Sequence, residues 1–376
     1  MNFVKHVVFA HRKLSFGGGE RVMLERVAAL APLDVQVTVI FRKEPDKRDI
    51  EPELRARNPH VGDILYMPGA WATFRWLWKN KPDLLALCNH KGVQRALPWL
   101  ARLGRRIPTV VTLHEHYERH LRKYRGIRKL VDTWIIDWEF EKAVQAHLGP
   151  QPCAMIHPLY PHRKTEPPTE VERREAKRNL GLPEGAIVLG YCGQIDGRKD
   201  PLTTLELTQC IEERLGKPVH LIFAGRVDDT TRREMEQTIH RMGRRDRTRI
   251  MGPVPDLSQV FRSLDAYLMT SRNEGFFPIA LIEALEQGVP IVAPSVGGIG
   301  TVLVDGEGGI LIQKPDDRKS IPKAVLESAA DRVAAMLATP DALALQRQKA
   351  LALGRRLTEG YDAATLFRDA VKEWVS

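Results

Sequence analysis

The stretch TSRNEGFFPIALIEALEQGVPIVAPSVGG, from Thr270 to Gly298, carries the most chemistry per residue in the chain. It reads as a strand, a polar loop ending in Glu274 and Gly275, a helix opening near Pro278 that carries Glu283, a second strand, and a Gly297-Gly298 turn. A helix that starts at a proline aims its free amides and the positive end of its dipole outward, which suits phosphate oxygens. Glu274, at the loop end, can reach sugar hydroxyls. Glu283, inside the helix, can face a ribose or serve as a salt-bridged structural carboxylate, as Glu286 does on the bland reading. A second segment, GYCGQIDGRKDPLTTLEL, places Gln194, Arg198 and Lys199 between a buried strand and a helix. Fixed cations there neutralise a diphosphate; a solvated charged turn is the alternative. A third, FGGGERVMLERVAAL, hands the chain from a strand to a helix through Gly17, Gly18 and Gly19, where an anionic or sugar ligand can dock or the backbone simply turns. Val22 breaks the Gly-x-Gly-x-x-Gly spacing, so this is not a dinucleotide fingerprint.

Such loops act only if a scaffold holds them. Apolar runs VKHVVFA, VQVTVIF, DLLALC, TVVTL and CAMIH alternate with amphipathic stretches such as ERVMLERVAALA and GVQRALPWLARL. This alternation predicts a parallel sheet with helices on both faces. Residues 157–171, HPLYPHRKTEPPTEV, have no periodic apolar face and read as a linker. The pattern restarts with AIVLGYCG, VHLIFAG, TRIMG, DAYLMT and VPIVAP. An alanine- and leucine-rich helical region covers about 320–357, and YDAATLFRDAVKEWV forms a last helix. The expected organisation is two Rossmann-like doubly wound domains, 1–160 and 161–357, with a C-terminal helix at 358–376 that can cross back to the first. Ligands of such sheets sit beyond the strand carboxyl ends, so chemistry is expected in a cleft between the two domains.

These motifs resemble the retaining transferases of glycosyltransferase family 4, most clearly over 185–315. The family hallmark, Glu-Gly-Phe-Gly followed by an apolar helix with a second glutamate, is similar to EGFFPIALIEALEQG; its Gly-Gly-x-Glu matches Gly17, Gly18 and Glu20. Its phosphate-binding arginine and lysine fall on Gln194 and Lys199, and its histidine on His114 in VTLHEHY, with His116 beside it. The resemblance implies a GT-B fold and metal-independent transfer from a nucleoside-diphosphate sugar with retention of configuration. Lys199, Arg198 and Arg226 would then share the diphosphate, and Glu274 would hold the donor sugar. Gly275, Phe276, Phe277, Pro278 and Ile279 would frame the phosphates, Glu283 the ribose, and Gly252 and Pro253, beside Met251, the base through backbone groups. His114 would line the acceptor side or cap a strand end, and the leaving diphosphate would itself take the acceptor proton. Three positions depart from the pattern. One residue is added between Glu274 and Glu283, Gln194 stands for an arginine, and Thr301 stands for an acid. No metal and no cofactor beyond the sugar nucleotide co-substrate is expected, and no Asp-x-Asp motif stands in a strand-end loop.

Lysine and arginine number 57 against 47 acidic residues, so the surface favours anions. WATFRWLWKNK sets Trp71, Phe74 and Trp78 on one helical stripe with Arg75, Lys79 and Lys81 alongside, as an interfacial helix does. The segment from Arg119 to Leu130 is basic and free of acids, fit for anionic headgroups or a phosphorylated acceptor. Core packing and solvated faces are the alternatives. No nucleic-acid module accompanies the charge, so nucleic acid is not an expected partner. Cys88, Cys153, Cys192 and Cys210 form no metal-spaced pair and read as reduced thiols. The opening apolar run, broken by Lys5 and His6, is too short for a signal peptide or a membrane span. The expected partners are a sugar-nucleotide donor, a glycan or lipid-linked acceptor and an anionic membrane surface. The expected location is the cytoplasm, at the inner membrane face where peripheral. The rival expectations are a non-catalytic sugar-nucleotide-binding subunit of the same fold, and an epimerase or phosphorylase.

Overall fold

The computed structural model describes residues 5–14, 18–43, 50–113, 121–136, 140–156, 166–254, 256–275, 277–314, 319–359 and 361–375. The chain divides into one unit of Met1–Pro161 with Asp362–Ser376 and another of His162–Tyr361.

The first unit holds a seven-stranded sheet of β1 (Lys5–Lys13), β2 (Val35–Lys43), β3 (Val61–Tyr66), β4 (Leu84–Cys88), β5 (Thr109–Thr112), β6 (Thr133–Ile136) and β7 (Cys153–Met155). The order is β3-β2-β1-β4-β5-β6-β7, and every pairing is parallel. Val7, Val8, Phe9 and Ala10 of β1 are all buried, as a strand covered on both faces requires. The last helix, Ala363–Val375, belongs to this unit. Its Ala363, Phe367 and Val371, spaced by four, are buried, and Phe367 packs on Phe9 with ring centroids 6.2 Å apart.

The second unit holds a six-stranded parallel sheet of β8 (Ile187–Cys192), β9 (Val219–Ala224), β10 (Thr248–Gly252), β11 (Ala266–Leu268), β12 (Ile291–Pro294) and β13 (Gly309–Ile312). The order is β10-β9-β8-β11-β12-β13. Behind this sheet the Asp265 carboxylate receives Lys177 Nζ and Arg347 Nη2 at 2.7 Å each and the Val188 amide at 2.8 Å. This network fastens the helices Glu170–Asn179 and Pro340–Thr358 to the sheet.

Three strands are additions to the sequence expectation: β3, β6 and β13. VGDILY in β3 alternates irregularly between exposed and buried, while TWII and GILI are four-residue pieces too short to declare a period. The expected helical region from 320 is two helices, Lys323–Leu337 and Pro340–Thr358, separated where Thr339 caps the second through the Ala342 amide at 3.2 Å.

Both strand orders reverse once, between β1 and β4 in the first unit and between β8 and β11 in the second. The loops after the two strands flanking such a reversal diverge to opposite sides and leave a crevice at the carboxyl edge.

Candidate functional site

In the second unit the two loops flanking the crevice carry the residues singled out above. After β8 the chain runs through Gly193, Gln194 and Ile195 into a turn built by Asp196, whose Oδ1 accepts the amides of Arg198 (3.0 Å) and Lys199 (3.1 Å). An aspartate that folds its own downstream backbone fixes the turn without help from elsewhere. Asp200 follows in the left-handed region (φ 53°), 4% exposed, with Arg272 Nε 3.2 Å from its carboxylate. The Arg272 amide donates to the Arg198 carbonyl at 2.8 Å, which ties the loop after β11 to the loop after β8.

That tie sets Lys199 Nζ in an ion pair with Glu274 Oε1, with Arg198 Nη1 3.9 Å from Oε2. Glu274 is only 4% exposed, and the Lys199 side chain is also largely covered. A carboxylate this buried requires a cation or donors of comparable strength. Gly297 seals the far side: at φ +56° it packs so close that an added Cβ would stand 2.7 Å from the Glu274 carbonyl carbon. Tyr191 lies beneath, its hydroxyl donating to the Gln194 carbonyl at 2.9 Å; burial, then the Glu274 and Asp196 carboxylates, push it far above the ordinary tyrosine range.

The neighbouring strand ends converge on the same edge. The Ile195 amide donates to the Arg226 carbonyl (2.7 Å), the Gly193 amide to Ala224 (2.9 Å), and the Gly225 amide to Gly252 (2.7 Å). Gly225, at φ +146°, has no room for a side chain against the Gly193 backbone. Gln194, Arg226 and Pro253 are therefore gathered around one edge, each exposed. The helix Ile279–Glu286 starts after Pro278, which sits outside it with extended backbone (ψ 138°) and offers no side-chain cap. Its amide end follows directly on the Glu274–Gly275 loop. Phe277 is fully buried beside that end, and Ile279 is half-buried. Glu283 is half-buried and close enough to the fully buried Cys192 to add, after burial itself, to the upward push on that thiol.

In the first unit the helix Gly18–Ala29 begins at the expected glycine run, with Glu20 buried in its first turn. Glu20 Oε1 is 3.6 Å from Nδ1 of His11, at the end of β1. The helix Ala70–Asn80 buries Thr73 and Leu77 and leaves Trp71 (62%) and Trp78 (40%) exposed. Phe74 stacks on Trp71 at 5.3 Å and meets Trp99 of the helix Lys91–Arg102 edge-on at 6.0 Å. Between Leu121 and Leu130 the basic segment is two short 3-10 turns anchored by Leu121, Tyr124 and Ile127, with Arg122, Lys123, Arg125, Arg128 and Lys129 exposed. Gly17, His114, His116 and Phe276 lie outside the described residues.

Two family models match: "Glycosyltransferase Family 4" over residues 16–147 and "Glycosyl transferases group 1" over residues 172–338. The chain belongs to glycosyltransferase family 4. A D-inositol 3-phosphate glycosyltransferase of Thermobispora bispora is 27% identical over 85% of this chain and 84% of its own length. One of that name from Geodermatophilus obscurus is 34% identical over 42% of this chain and 37% of its own. With several such relatives the match spans about two fifths of their length or less. Among solved structures, Anabaena HepE, determined with UDP and glucose, superposes with a TM-score of 0.74, covering 98% of this chain and 99% of that one at 16% identity. WaaG, a glycosyltransferase involved in lipopolysaccharide biosynthesis, does so at 0.71, covering 98% and 99% at 17% identity. The fold is GT-B, as its family implies.

For a family 4 chain, the structure brings together Lys199, Arg198 and Glu274, with Gln194, Arg226 and Gly252 on the adjoining strand ends. Sequence reasoning missed Asp196, Asp200, Arg272 and Tyr191, which hold the two loops. Asp196-Gly197 was readable as a turn signature, whereas the Asp200–Arg272 pair spans 72 residues and has no local signal. Among the described residues no cluster of three or more metal-type ligands occurs, and no helix is long and apolar enough to cross a membrane.

Proposed function

We propose that this chain transfers a sugar from a nucleoside diphosphate to a glycan or lipid-linked acceptor, with retention of configuration and without a metal. The second unit takes the donor and the first the acceptor. The observation that carries the reading is the Lys199–Glu274 pair at the strand-order reversal of the second unit. Glu274 receives donor-sugar hydroxyls, while Lys199, Arg198 and the amide end of Ile279–Glu286 receive the diphosphate. Binding the diphosphate draws Lys199 toward phosphate oxygen as charge builds there, the point at which a fixed cation contributes most to rate. The acceptor hydroxyl attacks the anomeric carbon, the carbon–oxygen bond to the diphosphate breaks, and a diphosphate oxygen takes the acceptor's proton. HepE was solved with UDP-glucose, which makes UDP-sugars the first donors to try. The names of the inositol-phosphate relatives and of WaaG support trying phosphorylated polyols and lipopolysaccharide precursors first as acceptors.

The test is thermal stabilisation by each sugar nucleotide, followed by nucleoside-diphosphate release with each acceptor, for the native chain, Lys199→Ala and Glu274→Ala. Release by the native chain that both variants lose supports the reading. Stabilisation without release from any acceptor would replace it with a non-catalytic sugar-nucleotide-binding subunit, and no stabilisation by any sugar nucleotide would overturn both.

The exposed aromatics support a peripheral seat on the inner membrane face of the cytoplasm. Trp71, Trp78, Trp99 and Leu103 project from two packed helices whose sequences contain no acidic residue, with Arg75, Lys79, Arg95 and Arg102 exposed around them. Aromatic rings at headgroup depth beside cations suit anionic lipid. Co-sedimentation with phosphatidylglycerol vesicles but not phosphatidylcholine vesicles, lost in a Trp71→Ala/Trp78→Ala variant, is the expected result; equal recovery with and without vesicles refutes it.

A further inference from the structure

The strand-order reversal of the first unit, between β1 and β4, carries a constellation that the transfer reaction leaves unused. His11 and Cys88 are direct register partners at the carboxyl ends of these strands, so their side chains leave the same face of the sheet. Glu20 Oε1 is 3.6 Å from the ring Nδ1, and the Lys13 carbonyl is 3.3 Å from the same nitrogen. Carboxylate, imidazole and thiol, the three groups of an activated-cysteine site, thus meet at one end of the β1–β4 pair. His11 is 6% exposed, and its Nε2 has no hydrogen-bond partner among the described residues. The ring, Cys88, Arg26 and Thr112 line a cavity of about 20 Å³, room for roughly one water.

The setting of the His11 ring favours its cation. Burial alone lowers the His11 ring, but the Cys88 sulfur, then the Glu20 carboxylate and the Lys13 carbonyl, more than offset this and raise it to about 9. His90, just past β4, is buried and held down to about 4 by burial, Arg42 and His11, so it stays neutral at pH 7. Arg26, facing the cavity, is engaged by Thr112 and by the Ile156 carbonyl at 3.4 Å. An imidazolium beside a thiol stabilises the thiolate, which is the nucleophilic form. The other cysteines have the opposite setting: burial pushes Cys153 to about 11, raises Cys210, and holds Cys192 far above the ordinary range.

We propose that Cys88, beside the His11 imidazole at the β1–β4 reversal, is a covalent modification site for small electrophiles and low-molecular-weight disulfides. Cys88 is partly exposed, so a small reagent reaches it. With a disulfide, the Cys88 thiolate attacks one sulfur, the S–S bond breaks as the mixed disulfide forms, and the departing thiolate takes up the proton that Cys88 gave up. No other oxidant is needed, because the reagent itself is reduced.

The test is iodoacetamide labelling of the folded full chain from pH 6 to 8.5, with each cysteine followed by peptide mass spectrometry. Cys88 should label at least about tenfold faster than Cys153 or Cys210 at pH 6.5, with a rate nearly flat over the range. Oxidised glutathione should leave its mixed disulfide on Cys88, removable by dithiothreitol. His11→Asn should bring Cys88 down to the Cys210 rate and restore an ordinary rise of about tenfold per pH unit below the thiol pKa; should that variant fail to fold, the native pH profile decides alone. Labelling of Cys88 no faster than Cys210, or a native rate rising about tenfold per pH unit, would overturn the proposal. The thiol readout needs no donor sugar, so its outcome is independent of the transferase reading.

Discussion

Replacing Gly297 by alanine tests whether the position of Glu274 is what the second unit is built to hold. The new methyl would overlap the Glu274 carbonyl oxygen and lie 2.7 Å from its carbon, and ordinary contact begins at 3.4 Å, so the glutamate backbone must retreat by about 1 Å. Alanine at φ +56° also carries the left-handed strain of about 1 to 2 kcal/mol. Forced overpacking in a closed interior adds about 1 to 3 kcal/mol. The unit should therefore lose roughly 2 to 5 kcal/mol, and at about 2 to 4 °C per kcal/mol its Tm should fall by at least about 4 °C. A displacement approaching 1 Å in a substrate-positioning group can cost about 100-fold in rate, so kcat/KM for nucleoside-diphosphate release should fall by tens to a hundredfold. Gly306→Ala is the control. It has the same kind of backbone (φ +80°) but nothing within 4 Å of the added methyl, so it should show the strain alone, with catalysis intact. Equal melting and equal turnover for the two variants, read by differential scanning calorimetry and a coupled release assay, would refute the claim that Gly297 sets Glu274.

Three further outcomes are expected. Lys199→Ala leaves the buried Glu274 carboxylate without its nearest cation and should cost about 3 to 5 kcal/mol in a thermal melt; adding Glu274→Gln should recover much of that stability while nucleoside-diphosphate release stays at background. Arg347→Ala breaks contacts of 2.6 Å to Glu170 and 2.7 Å to Asp265 and should lower the melting of the second unit by a similar amount, with the first unit unaffected in a hydrogen-exchange map. For His90, burial holds the folded pKa near 4, below the unfolded value of 6.5. Between those values the unfolded chain binds the extra proton, so stability is full above pH 6.5 and is lost as pH falls toward 4, by roughly 3 kcal/mol at most. His90→Asn keeps a side chain able to cap the Val93 amide, as His90 does at 3.2 Å, and should flatten that slope in melts taken from pH 7 to 5.

Much of the site was readable because its motifs are local. Glu274-Gly275, the proline that opens the following helix, and the Arg198-Lys199 turn each declare their loop from a few consecutive residues, since helix starts and tight turns are short-range events. The long apolar strands β1, β2, β8 and β9 were legible for the same reason, their burial on both faces writing a continuous run. The irregular β3 and the four-residue β6 and β13 were not, because such short segments gain their strand character from pairing with neighbours rather than from their own pattern.

The sequence by itself determined the two doubly wound sheets, the helices that follow each loop, and the residue types available to bind phosphate and sugar. Only the tertiary structure decided that Lys199 and Glu274, 75 residues apart, share one buried ion pair, and that Arg272 and Asp200 lock the loops that make it. It likewise decided that His11 and Cys88, 77 positions apart, stand side by side, with Glu20 Oε1 3.6 Å from the ring Nδ1. The physical reason is common to all three. Strand order in a parallel sheet is fixed by crossover handedness and by burial over the whole unit, and the order, not the local sequence, selects which two loops flank a crevice.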